Sequence, residues 1–268
     1  SIYRLLPDTQ QGQLLVEIKT YRDSAYSAQV GAGNEREIAL YIPNTNDLQP
    51  TATLTLTPVS DFKADEAVYV KGLSKVKCVV SNAQGKYGAT IKKYAFQVQA
   101  KSAEGTQNTF TSDYLSSSGA VRIGAQVFDS RGYYVPFVKE ISVLDYKTPT
   151  LDALTCDTSY FTGTITYKYT PACSAFYSRC VITFGDTVIR TISHGKKALE
   201  QQTATVTFTE DELSVIYHKI PNSKEGKLRF TFRAYSDSAC SYQVGVDSYK
   251  EITLSIPEID ATQPEAKL

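Results

Sequence analysis

The chain has 268 residues, of which 28 are basic and 28 acidic, and 42% are hydrophobic, a length that makes room for about two domains. Balanced charge removes the long-range field that would draw in nucleic acid or anionic lipid. The sequence holds no run of about 18 apolar residues, which excludes a helical membrane span in this segment.

Residues 2–54 recur almost without a gap as residues 216–268. Ile2-Tyr3 answers Ile216-Tyr217, and about two positions in five are identical. Matches fall where backbone or core geometry is demanding: Pro7 with Pro221, Gly12 with Gly226, Tyr21 with Tyr235, Asp23-Ser24-Ala25 with Asp237-Ser238-Ala239, Gly31 with Gly245, Pro43 with Pro257. A repeat this long holds two domains and is too long for one solenoid turn. The chain contains no methionine and starts inside a repeated motif, so the expectation is a piece of a longer tandem array.

Along the chain, short stretches alternate apolar and polar residues, a strand signature. They lie at residues 53–56, 75–80, 94–98, 120–127, 163–169, 228–235 and 252–256, with turn residues at 82–85, 129–132 and 222–226. Strands at this spacing with no interleaved helices predict antiparallel sandwiches. One helix interrupts them. Thr209-Glu210-Asp211-Glu212 is a capping box, Leu213, Ile216 and Tyr217 supply an apolar stripe, and Pro221 stops the turn. Residues 2–6 are expected to be the tail of the same helix in the earlier copy. Proline-marked exits set the expected boundaries. Residues 1–50 form the C-terminal half of a type A sandwich, 51–148 a type B immunoglobulin-like unit, 149–257 a complete type A unit, and 258–268 the start of another type B unit. Short connections predict a semi-rigid rod.

Chemistry is sparse. The five cysteines, Cys78, Cys156, Cys173, Cys180 and Cys240, show no C-x-x-C spacing, and free, packed thiols are expected, with a disulfide or a zinc site as the alternatives. His218 at a helix end suits the dipole there, and His194, in a serine-glycine setting without a nucleophile motif, is expected in solvent. Asp61, Asp65 and Glu66 lack the ligand spacing of a calcium loop and read as a solvated interdomain face. Gly85-Lys86-Tyr87-Gly88-Ala89-Thr90 lacks the ending of a phosphate loop, so its glycines are expected to serve positive backbone dihedrals. No residue is nominated as catalytic, and no cofactor or metal is expected. Most of the 19 tyrosines alternate with polar residues in strands and belong to cores or domain interfaces. The exceptions are Tyr133 and Tyr134, which together with Arg131 in the preceding turn are the candidate surface contacts.

Several of these stretches carry a resemblance. Pro58-Val59-Ser60, residues 69–76, Gly85 to Tyr94, Asp129-Ser130-Arg131-Gly132 and Ile141 to Tyr146 resemble repeats of tail-associated minor structural proteins of siphophages, a family of unknown function. Residues 188–192 and 220–222 and the Tyr-x-Asp-Ser motif resemble its companion unit. The resemblance implies immunoglobulin-like sandwiches in a virion tail tip, baseplate or fibre, assembled in the bacterial cytoplasm. It implies other tail proteins as partners, with a host cell-surface polysaccharide or protein as a further expected contact, and it brings no catalytic residues. The alternatives are a bacterial adhesin stalk and accessory carbohydrate-binding modules of a larger enzyme.

Overall fold

A computed structural model describes residues 2–156, 163–219 and 225–255. Pro221, most of the turn at 222–226, the Ile256-Pro257 exit and residues 258–268 lie outside the described residues. The fold is all-β, with antiparallel sheets and a single α-helix among the described residues. Two compact units divide it. The first comprises residues up to Val59 with Lys75–Asp113 and Ala120–Ile141, and the second comprises Ser60–Ser74, Tyr114–Gly119 and the chain from Ser142 onward.

In the first unit, a 3-10 turn at Ile2–Leu5 leads into a long hairpin of β1 (Gln11–Tyr21) and β2 (Gln29–Tyr41). The expected helix tail is thus a tighter turn, which ends two residues before Pro7. A sandwich follows. One sheet has the order β3 (Thr51–Ser60), β5 (Ser74–Gln84), β8 (Thr109–Thr111). The other runs from β10 (Tyr134–Leu144) through β9 (Gly119–Asp129) and β6 (Ile91–Val98) to β7 (Lys101–Gly105). Side chains of a strand alternate between faces, and burial follows that period. Val76, Cys78 and Val80 of β5, Phe96 and Val98 of β6, and Val121, Ile123, Ala125 and Val127 of β9 are buried, while Lys77 and Arg122 between them are exposed. Phe96 stacks on Phe110 at 5.7 Å across the core.

In the second unit, β4 (Tyr69–Val70) pairs in parallel with residues 143–144 at the end of β10. The sheet β11 (Thr150–Thr155), β12 (Thr164–Thr170), β15 (Gln202–Thr207) faces the sheet β14 (Thr187–Lys196), β13 (Tyr177–Phe184), β16 (Glu225–Tyr235), β17 (Gln243–Ser255). Three strands against four, with consecutive strands crossing between sheets, is the immunoglobulin-like sandwich arrangement. Its core joins Ile165, Tyr167, Tyr169 and Val206 of one sheet to Cys180, Ile182, Leu228, Phe230, Phe232 and Leu254 of the other. Helix α1 (Glu210–His218) closes one end by driving Ile216 into this core. Its capping box forms in full, with the Glu212 N–H donating to Thr209 Oγ1 and the Thr209 N–H to the Glu212 carboxylate. Arg190 also grips Glu212, with Nε 2.7 Å from Oε1.

Candidate functional site

The Asp129–Tyr134 turn, which carries the residues singled out in the sequence, is built around a buried carboxylate. Asp129 Oδ1 accepts the N–H groups of Arg131 (3.0 Å) and Tyr133 (2.9 Å), and the Asp129 N–H closes the turn on Tyr133 O at 2.8 Å. Gly132 takes φ +88°, a left-handed conformation that a side chain would strain. Burial raises the Asp129 pKa above the ordinary carboxylate value, partly offset by those backbone N–H groups and the Arg131 charge.

Arg131 does not face solvent. The residue is 4% exposed and its side chain points inward, where its planar fork meets four backbone carbonyls. Nε donates to Leu6 O (2.9 Å), Nη1 to Lys86 O (3.0 Å), and Nη2 to both Tyr3 O (3.1 Å) and Tyr87 O (2.8 Å). A delocalised cation with rigidly placed donors suits this task better than an ammonium. Two of the carbonyls belong to the turn at Ile2–Leu5 and the residue after it, where a helical dipole's negative end also favours a cation. The other two come from the loop at 85–90. The loop places them by close packing at Gly85, where an added Cβ would lie 2.1 Å from Ala89 O, and by positive φ at Tyr87 and Gly88. The positive dihedrals expected of both glycines are therefore found at Gly88 only, and Gly85 is required for space.

The surrounding groups complete a clamp. Gln10 Nε2 donates to Arg131 O at 2.7 Å, and Ser130 Oγ to Pro7 O at 2.6 Å. Tyr133 is 4% exposed, donates its hydroxyl to Ile42 O, and packs with Ile42, Leu48, Tyr3 and Leu6. Arg131 and Tyr133 thus fasten the base of the β1–β2 hairpin to the neighbouring sandwich, which corrects their expected surface exposure. Tyr134 alone stays outside, 41% exposed, with Phe128 at 5.2 Å and Lys93 Nζ 4.6 Å over the Phe128 ring. Gln10 and Tyr3 were not singled out in the sequence, and the 85–90 motif was singled out for its glycines, not for the carbonyls that Lys86 and Tyr87 offer Arg131. Bonds to main-chain carbonyls leave no side-chain signature, and a glycine-flanked arginine beside an Asp turn was the available hint.

His194 is also corrected. It lies partly buried against Tyr169 (4.5 Å between ring centroids) and Phe232 (6.0 Å), with Nε2 2.8 Å from the Tyr167 hydroxyl. Burial and, secondarily, the Lys197 charge lower its pKa from 6.5 to about 4. His218 lies on the exposed end of α1, Nδ1 2.8 Å from Ser214 O. Within the second unit, Asp65 accepts the Ser238 N–H at 2.9 Å, Asp61 accepts from the Tyr114 hydroxyl, and Glu66 lies 3.4 Å from Lys196. All five cysteines are free, and burial pushes Cys180 up to about 12 and Cys78 to about 11. Among the described residues no cluster of three or more His, Cys, Asp or Glu side chains is placed to hold a metal, and no helix is long and apolar enough to cross a membrane.

A family of siphovirus proteins of unknown function matches residues 2–170. This chain belongs to that family. The match includes the first hairpin, the whole first sandwich and the Arg131 clamp. No curated protein matches the chain. Among solved structures, fibronectin(III)-like modules of Clostridium thermocellum CbhA are 14% identical, covering 80% of this chain and 100% of theirs, with a TM-score of 0.30. A PcdhgB3 EC1-4 structure is 12% identical, covering 92% of this chain and 67% of its own, with a TM-score of 0.32.

Proposed function

We propose that this siphovirus protein is a non-catalytic structural component of the phage tail, in its tip, baseplate or fibre, whose tandem sandwich modules space or present a host-recognition surface. The observation that carries the reading is the recurrence of one hairpin twice in a single chain, with another sandwich in between. Strands β1 and β2 match β16 and β17 residue for residue. Repetition of self-sufficient cores extends a molecule without requiring new chemistry, and sandwich loops vary without disturbing those cores.

On this reading residues 1–50 are the C-terminal half of a type A module, 51–148 a type B module, 149–257 a complete type A module, and 258–268 the entry to another B. The loops at 60–74 and 114–119 group with the second compact unit, and the modular reading takes their contacts as the passage from a B module to an A module. Phe62 meets Phe176 edge-on at 5.2 Å, and Ser236 Oγ donates to Lys63 O at 2.6 Å. The Arg131 clamp is the junction of the opposite order, A to B. Other tail proteins are the proposed partners, and Tyr134 with Phe128 and Lys93 is the proposed contact for a host polysaccharide or protein.

Antibodies raised against the 268-residue chain test the assignment. They should decorate the tails of intact virions in electron micrographs, and the purified chain should cleave no host polysaccharide. Labelling absent from virions that contain the protein in full, or polysaccharide cleavage by this chain, would overturn it. Replacing Tyr134 by Ala tests the contact, with reduced adsorption expected and unchanged adsorption assigning these modules to spacing alone.

A further inference from the structure

The β1–β2 hairpin repeats not only the sequence but also the irregularities of β16–β17. Both ladders slip at one bulge, between Ile18 and Thr20 and between Phe232 and Ala234. Both loops wrap an aspartate, Asp23 accepting the Ser27 and Ala28 N–H groups and Asp237 those of Ser241 and Tyr242. Tyr26 and Cys240 share a positive φ of 56° and 54°, as do Gly31 and Gly245 at 76° and 75°. In β16 and β17 the inward residues Leu228, Phe230, Phe232 and Val244 are between 0% and 5% exposed. Leu14, Val16, Ile18 and Val30 hold those positions in the first copy and are 37%, 37%, 68% and 41% exposed.

Two further features repeat without their cover. The outer edge of β16 pairs with β13 from Leu228 to Tyr235, whereas among the described residues β1 pairs with β2 alone. Ile216 plugs the core at 0% exposure, while Ile2, which aligns with it, is 43% exposed on a turn that enters the hairpin from the same side in sequence. A long apolar strand edge beside an apolar face is a template for pairing, which native proteins keep covered. A two-stranded hairpin by itself is marginally stable in water.

We propose that the β1–β2 hairpin is the docking surface for a half-sandwich like the one that β11 to β15 and α1 make around β16–β17. The occupant is carried by the same polypeptide ahead of Ile2, and it adds a β13-like strand to the free edge of β1. The proposal rests on the modular reading above. What argues for this occupant is the chain's own second copy, which shows what such a hairpin is shaped to receive, and the helical turn that leads into both copies.

The test joins residues 149–215 ahead of Ile2 in the 268-residue chain and follows amide hydrogen exchange. The amides of Gln11–Tyr21 should gain roughly 100-fold in protection over the unextended chain. Ile18→Asp should abolish the gain, while Leu15→Asp, on the opposite face, should leave it intact. Because Val16 and Ile18 replace phenylalanines, a V16F/I18F form keeps the test valid should the first cover pack loosely. No gain in either form overturns the inference. So does a concentration-dependent dimer of the unextended chain that Ile18→Asp dissolves, which would make a second copy the occupant. Protection of β16 and β17 in the same experiment reads the modular account separately, since loss there would sink that account whatever the hairpin does.

Discussion

Two hairpins of one sequence pattern, Gln11–Tyr41 and Glu225–Ser255, have matching registers, bulges and loops but opposite surroundings. The second forms half of a core, and the first shows the corresponding side chains to solvent. Backbone geometry is therefore set by local chemistry, the Asp-bonded loop and the glycine with positive φ, while stability is set by what covers the apolar face. Burying residues such as Phe230 or Leu228 contributes about 1.5 to 3 kcal/mol each. The first hairpin gains little of this and depends on the Arg131 clamp at its base.

Breaking the second core should have the largest effect. Phe230→Ala should cost about 3 to 5 kcal/mol in denaturant unfolding, while Val16→Ala at the matching position should stay within about 0.5 kcal/mol. Equal losses would erase the contrast. Arg131→Ala comes next, because it strands four carbonyls that a buried fork satisfies, and about 3 kcal/mol of local stability should vanish from the hairpin base. Arg131→Lys should restore only part of it. Exchange at residues 2–10 and 85–90 reads the loss directly, with the β16–β17 amides as an unaffected internal reference.

A pH titration should sharpen the difference. His194, beside Tyr167, Tyr169, Phe232 and Lys197, has its pKa lowered from 6.5 to about 4. The unfolded chain therefore takes up the proton first, and stability present above pH 6.5 is lost as pH falls toward 4. Between pH 7 and pH 5 the loss should be about 2 kcal/mol, confined to the second unit, and His194→Phe should flatten it. The first unit, whose residues include no histidine, should not respond in that way. The smallest effect is at the helix cap, where Thr209→Ala should cost about 1 kcal/mol by thermal unfolding.

Much of this was legible in the residues. Alternation located β3, β5, β6, β9 and β12, and the capping box placed the start of α1 to the residue. Aligning the repeat gave the equivalence of the two hairpins, because the residues that specify turns and bulges are the ones preserved. Their opposite burial was not legible, since Leu14, Val16 and Ile18 are as apolar as a core demands and only three-dimensional neighbours decide their fate. The roles of Arg131 and Tyr133 were hidden for a related reason. A turn motif looks the same whether its arginine reaches solvent or backbone, and their partners, at residues 3, 6, 42, 86 and 87, contribute carbonyls that any sequence possesses. His194 was misplaced because its serine-glycine flanks resemble a loop, yet β14 carries it onto the aromatic side of the sandwich.

Amide exchange of the unmodified chain, compared strand by strand between β1 and β16, tests the central claim most directly. Protection of β16 close to that of global unfolding, with β1 exchanging orders of magnitude faster beyond its clamped base, is the predicted result. Equal, core-like protection of both strands would contradict the claim that the apolar face of the first hairpin lacks, among the described residues, the cover that the second hairpin has.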